Sequence, residues 1–256
     1  MHDTIYPAKD PMTAFDRPLV PALVLALGIA LGGALAGDGV ARARLADRYV
    51  TVKGISEREA RADLAIWPLH VVAADNDLSR ANARLETSAA TVRAFLARHQ
   101  IDTTAAEVQD FSVTDAYLTQ GDVGSRPPTR YVIRQTIVIR STKPDLVLAA
   151  SQRVAELVSA GVVLSSGAEY GTGGPTFIFT GLNGLKPQMI AEATARARDG
   201  AEQFARDSHS ALGGIRQANQ GVFEILPRDQ APGISEESQI VKTVRVVSTI
   251  DYTLRR

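Results

Sequence analysis

The sequence predicts an α+β protein: an N-terminal transmembrane helix followed by two antiparallel-sheet-plus-helix lobes, read as ββαββ repeats joined by a short helix. Three observations carry this reading. The run PLVPALVLALGIALGGALAG, Pro18 to Gly37, holds no charged residue, and about 20 such residues cross a bilayer as a helix. Two later segments carry apolar residues at steps of three and four, the mark of a helix with one buried face. Alternating segments flank both helices, as half-buried strands require.

Residues 1–17 form a polar leader, read as cytoplasmic, that ends in Asp16-Arg17. The run after it is apolar on all sides, which favours lipid over a protein core. It ends in Ala34-Leu35-Ala36, which resembles a signal-peptidase site, so a retained anchor and an export signal cut near Ala36 both stand. Lys9 and Arg17 precede the run, whereas Arg42, Arg44, Arg48 and Lys53 follow it. This count does not favour export of the larger part.

The remaining chain, 38–256, is long enough for a real core. Its first half should hold strands at Tyr49 to Ser56, Ala62 to Ala74, Val108 to Leu118 and Arg130 to Arg140. Pro68 marks the second of these as an edge strand or a bulge. Asp77 can cap a helix whose Leu78, Ala81, Leu85, Val92, Phe95 and Leu96 share a face down to His99. In the strand at Arg130 to Arg140, Tyr131, Ile133, Ile137 and Ile139 take one side while Arg134, Thr136 and Arg140 take the other. One side is core and the other wet.

A shorter helix follows, capped by Ser141 or Thr142, with Pro144 near its start and Gly161 as its stop. The stretch from Thr176 to Ile225 then reads as strand, turn, long alanine-rich helix, Gly-Gly stop and returning strand. Ile190, Ala193, Ala197, Ala201, Phe204, Ser208 and Ala211 lie on one face of that helix. Pro187 suits its first turn and Gly213-Gly214 its end. Glu192 with Arg196, and Glu202 with Arg206, are four apart in the stabilising order and read as a solvated face. Gly200 costs about 1 kcal/mol against Ala unless something packs close. After the loop Pro227 to Ser238 comes a last strand, Lys242 to Leu254. An offset of about 113 residues overlays the two long helices and sets Arg134 to Ile137 over Val247 to Ile250. Lobes 48–142 and 143–256 follow from it.

Charge is balanced, with 28 basic and 28 acidic residues, so a general grip on nucleic acid is not expected. Cysteine is absent, which excludes disulfides and a thiolate nucleophile. His2, His70, His99 and His209 show no metal-ligand spacing. Asp207, Ser208 and His209 are adjacent, and neighbours on a helix point about 100° apart, so they form no triad. No cofactor motif occurs. Trp67 beside Pro68 is a candidate interface anchor, although a core aromatic explains it better. Tyr170 with the turn to Gly174 is a candidate groove. Arg130, Arg134 and Arg140 are candidates for an anionic ligand, weighed against a solvated strand face.

The segments YVTVKGISEREARADLA, RYVIRQTIVIR, GIRQANQGVFEI and VRVVSTIDYTL, in this order around the two helices, resemble the SIMPL-domain (DUF541) family, which includes bacterial periplasmic immunogenic proteins. The resemblance spans Arg48 to Leu254 and brings no catalytic signature. It implies a bacterial inner-membrane anchor at Pro18 to Gly37, or a signal cut near Ala36, with the domain in the periplasm, and a tendency to oligomerise. The expected function is a non-enzymatic envelope module that assembles with itself or with other envelope proteins. Its contacts would come from exposed strand edges and the loops Gln120 to Pro128 and Pro227 to Ser238. The alternative is a small-molecule binder or enzyme using a groove near Tyr170 to Gly174.

Overall fold

The charge-free run of Leu, Val and Ala forms one helix, α1 (Leu19–Ala46), which continues past the predicted end at Gly37 into the Ala- and Arg-rich residues 41–46, themselves good helix formers. Its Ala22–Val40 part has mean hydropathy 1.9 and none of it is buried. The structure is a computed structural model that describes residues 19–46, 48–104, 106–119, 127–165 and 174–255. The leader lies outside the described residues.

After α1 the order is β1 (Tyr49–Arg61), β2 (Leu64–Asp75), α2 (Leu78–Arg98), β3 (Glu107–Asp115), α3 (Ala116–Thr119), β4 (Tyr131–Ser141), α4 (Pro144–Ser151) and α5 (Ala155–Ser159). Then come β5 (Val163–Leu164), β6 (Thr176–Ile178), α6 (Leu182–Asp207), β7 (Ala211–Gln220), β8 (Glu224–Pro227) and β9 (Val241–Arg255). Two antiparallel sheets with helices result. One has the order β1-β9-β7 with β8 also on β9; the other has β3-β4-β2-β5 with β6 also on β2. The strands do not sort by halves of the sequence, since β1 pairs with β9 while β5 and β6 pair with β2. The expected lobes therefore do not each own a sheet. The strands before and after α6 lie in different sheets, so that stretch is no closed βαβ unit.

Contacts divide the chain into two units, Met1–Val52 with Gly200–Ala218 and Ile250–Arg256, and Lys53–Asp199 with Asn219–Thr249. In the first, Leu254 N–H donates to Arg48 O at 2.8 Å, Thr51 Oγ1 donates to Asp251 at 2.7 Å, and the Arg216 guanidinium stands 4.3 Å from the Tyr49 ring centroid. In the second, Trp67, Leu69, Val71 and Ala73 of β2 bury one sheet face with Leu85, Val92, Phe95 and Leu96 of α2. Met189 and Ala193 of α6 pack with Ala60, Val244 and Val246 in a separate cluster.

The alanine face of α6 is there because β1 comes within backbone contact of it. A Cβ on Gly54 would stand 1.8 Å from Ala193 O and 2.6 Å from Ala197 N. The buried stripe steps by four through Met189, Ala193, Ala197, Ala201 and Ala205, and Phe204, expected on it, is 59% exposed. The helix starts at Leu182, leaving Pro187 inside it, because Leu182 and Leu185 supply apolar side chains to the core for an extra turn. Glu192 is not simply solvated: it accepts from Ser56 Oγ at 3.0 Å and from Arg196 at 2.6 Å, while Arg196 also donates to Ile55 O at 2.8 Å. Ser56, then Arg196 and Arg58, hold its carboxyl below the usual range against the opposing effect of burial. Arg206 binds Gln203 at 2.7 Å rather than the expected Glu202.

Helix ends are corrected as well. Asp77 caps α2 through Arg80 N–H at 3.0 Å, as expected. The short helix is two, α4 and α5, with Lys143 as the first cap, since Ser141 still belongs to β4. Gly213 and Gly214 lie within β7, and α6 ends on His209 at φ 51. Ser210 N–H donates to Ala205 O at 2.9 Å and His209 N–H to Arg206 O at 3.1 Å, the Schellman pattern. Gln100, at φ 60, closes α2 in the same way, with Ile101 N–H on Leu96 O at 3.0 Å. Side chains at such φ cost about 1 kcal/mol against glycine. Gln100→Gly and His209→Gly should each raise the denaturant midpoint by about that stability, with no change in slope.

Asp75, 7% exposed, anchors the turn between β2 and α2. Arg80 donates to it at 2.8 Å and 3.0 Å, and Arg84 pairs with it at 3.1 Å. Hydrogen bonds from Arg80 and from the Asp77 N–H hold its pKa at about 2, below the ordinary 3.8. A depressed carboxyl stabilises the fold above its unfolded pKa, and that contribution is lost as pH falls through the folded one. The loss therefore falls between about pH 4 and 2. In acid titrations followed by circular dichroism, Asp75→Asn should flatten the loss of stability in this window.

Candidate functional site

Strand edges and a cleft beside β4 are surfaces on which the described chain offers chemistry. Strands β3 and β7 end their sheets. A strand at an edge has backbone N–H and C=O groups with no strand partner on one side. Both are also exposed over nearly their whole length. Val108, Phe111 and Val113 on β3 are 51%, 56% and 47% exposed, and Ile215 on β7 is 50% exposed. Neither strand contains Lys or Pro, the residues that commonly blunt such edges.

Strand β2 is interior, which corrects the edge expectation for Pro68. Its register with β4 runs unbroken from Ala65↔Ser141 to Asp75↔Tyr131. On its other side β6 pairs only with Leu64 to Ile66 and β5 only with Val71 and Val72. His70 O accepts from Ser165 N–H at 2.9 Å on that side. A period of two turns the Pro68 nitrogen the same way, into the gap between β5 and β6, where there is no ladder bond to lose.

Trp67 is 1% exposed and meets Phe95 edge-on at a centroid distance of 6.5 Å. It is a core residue, and this chain does not offer it as a surface anchor. Tyr170 and the groove expected there lie outside the described residues, apart from Gly174. Loop residues Gln120 to Arg126 do so too. The loop after β8 is held by Lys242 of β9, which is fully buried and donates to Glu236 O at 2.7 Å while also pairing with the Glu236 carboxylate. This fastens the Glu236–Ser238 turn to the start of β9.

The three candidate arginines, Arg130 just before β4 and Arg134 and Arg140 within it, separate. Arg130 donates twice to Asp115 Oδ2, both at 3.0 Å, and stands 4.8 Å from the Tyr131 ring centroid. Arg130 is also the main cause of the lowered Asp115 pKa. Arg140 is exposed at the far end of the strand. Arg134 lines a cleft of about 280 Å³ with His70, Val72, Asp110, Phe111, Ser112, Thr136 and Ser165. The wet side expected of β4 is thus only partly wet, since Thr136 is 4% and Val138 8% exposed. As an interior strand it is sheltered by its neighbours, and His70 Nδ1 lies 2.9 Å from Thr136 Oγ1.

Sequence reasoning missed Asp110. The register passes from Gln109↔Thr136 to Ser112↔Arg134, so Asp110 and Phe111 together face one residue of β4, a β-bulge. Asp110 takes φ 51 there. The signal was present in EVQDFSVTD, where Val108 falls on even positions while Phe111 and Val113 fall on odd ones. A phase slip inside a strand is what a bulge writes into a sequence.

A membrane-length apolar helix and a mixed α/β domain of two antiparallel sheets define the class. A protein-family model named SIMPL, described as a protein of unknown function (DUF541), matches residues 50–249. The chain belongs to this family. No curated protein matches it.

Proposed function

We propose that this chain is a cell-envelope protein, held in the bacterial inner membrane by α1 with its SIMPL domain in the periplasm, or released there after cleavage near Ala36. The domain acts without catalysis as an interaction module and assembles through strand edges with further copies or with other envelope proteins. The observation that carries the reading is the pair of long, exposed edge strands bearing apolar side chains. Such edges pair readily with another chain. The bulge interrupts β3, so β7 is the stronger candidate.

Light scattering on the full chain in detergent micelles tests it, with Val113→Lys and Ile215→Lys as edge variants. A defined oligomer is expected for the wild type, and Ile215→Lys should reduce its mass without changing the circular dichroism spectrum. A monomer at tens of micromolar, or an oligomer indifferent to both variants, would overturn assembly through the edges. A fused reporter active only in the cytoplasm, placed after Arg256, would refute the periplasmic placement.

A further inference from the structure

The cleft beside β4 holds two opposite charges that no described residue neutralises. Arg134 on β4 and Asp110 on β3 both line it, and neither forms an ion pair or side-chain hydrogen bond with the other or with any described group. At the other end of this strand pair an arginine and an aspartate do pair, as Arg130, just before β4, and Asp115 of β3 show at 3.0 Å. Keeping two such side chains apart along one cleft requires something in the backbone. The bulge supplies it, because two residues of β3 opposite one of β4 turn the Asp110 side chain out of the regular alternation.

The conformation of Asp110 points the same way. The first bulge residue at positive φ is normally glycine, which bears no side chain to strain. Here it is an aspartate at φ 51, a residue that enters this region more readily than most side chains but still less readily than glycine. Strain retained at one residue points towards a use for that side chain. Around the two charges, Val72 and Phe111 are apolar, Ser112, Thr136 and Ser165 bear hydroxyls, and His70 lies with its Nδ1 2.9 Å from Thr136 Oγ1. The cleft's volume is just below the ~300 Å³ at which drug-sized pockets begin, so it suits a ligand of amino-acid size.

We infer that this cleft binds a small zwitterion, a free α-amino acid, whose carboxylate meets Arg134 and whose ammonium meets Asp110. A guanidinium can take a carboxylate through two parallel N–H donors, and a carboxylate can accept from the ammonium. A ligand with both charges satisfies both walls, whereas one with a single charge leaves the other wall unmatched. This inference is independent of the assembly proposed above, because the cleft opens on the face of the sheet and belongs to one chain.

Calorimetric titration of the full chain in detergent micelles, with the common L-amino acids at millimolar concentrations, tests it. Propionate and ethylammonium serve as single-charge controls. Saturable binding of at least one amino acid is expected, with each control at least about tenfold weaker. Arg134→Met and Asp110→Gly should each weaken binding by about tenfold or more. Asp110→Gly should at the same time raise the melting temperature, since glycine relieves the positive φ, and a merely structural role for Asp110 would not join lost binding to gained stability. Absence of saturable binding by every amino acid tested would overturn the inference. So would binding that both variants leave unchanged, or propionate binding as tightly as the amino acid, which would make the cleft a plain anion site.

Discussion

Gly54→Ala is expected to destabilise the domain by more than about 3 kcal/mol, the largest effect of a methyl group added at any of the described glycines. Overpacking a core ordinarily costs about 1–3 kcal/mol, because side chains shift to make room. At Gly54 the added carbon would meet Ala193 O at 1.8 Å and Ala197 N at 2.6 Å, and these are backbone atoms of α6. The helix itself must retreat, and the close packing of Met189 and Ala193 on Val244 and Val246 is lost with it. Gly200→Ala is the control. A Cβ there would stand 3.9 Å from Val52 Cγ1, an ordinary contact, so the same methyl group should stabilise the helix by up to ~1 kcal/mol. Chemical denaturation of the two variants beside wild type reads both signs. Equal effects would show that the close approach at Gly54 does not exist.

Trp67→Ala is expected to cost about 3–5 kcal/mol, the range for removing a large buried aromatic. At 1% exposure, its ring fills the space between β2 and α2 and meets Phe95 edge-on. Truncation leaves a cavity that the surrounding sheet and helix close only in part. If Trp67 were instead an interface residue, the variant would keep its denaturant midpoint and lose only assembly. Trp67→Phe, which retains most of the apolar volume, should recover the larger share of the stability.

The elements whose formation depends on local pattern were legible. The apolar span, the helix capped by Asp77, the stop at Gly161 and the last strand from Lys242 all stand close to where the sequence places them. What failed depends on contacts distant in the chain. Pro68 looked like an edge residue because proline removes a ladder bond, but only the short reach of β5 and β6 shows that no bond exists there. Phe204 looked like a core residue by spacing, yet the approach of β1 at Gly54 leaves the α6 face to alanines. Pairing of β1 with β9 spans almost the whole domain, and an internal period of similar segments has no means of announcing it. The cleft was half legible. In the sequence Arg134 stands as one of three similar arginines, and only the pairing of Arg130 with Asp115 and the exposure of Arg140 separate it from them. Asp110 is marked in the sequence only by the slip from Val108 to Phe111 and Val113, which the bulge in the register explains.

Amide hydrogen exchange at Ala211 to Gln220, measured on the full chain in detergent over a range of protein concentrations, tests assembly through strand edges most directly. Edge pairing predicts that the outward N–H groups of β7 exchange fast in dilute protein and become protected as concentration rises, while amides of β2 and β4 stay protected throughout. Exchange along β7 that remains fast at every concentration, while the protein nevertheless forms an oligomer, would contradict it.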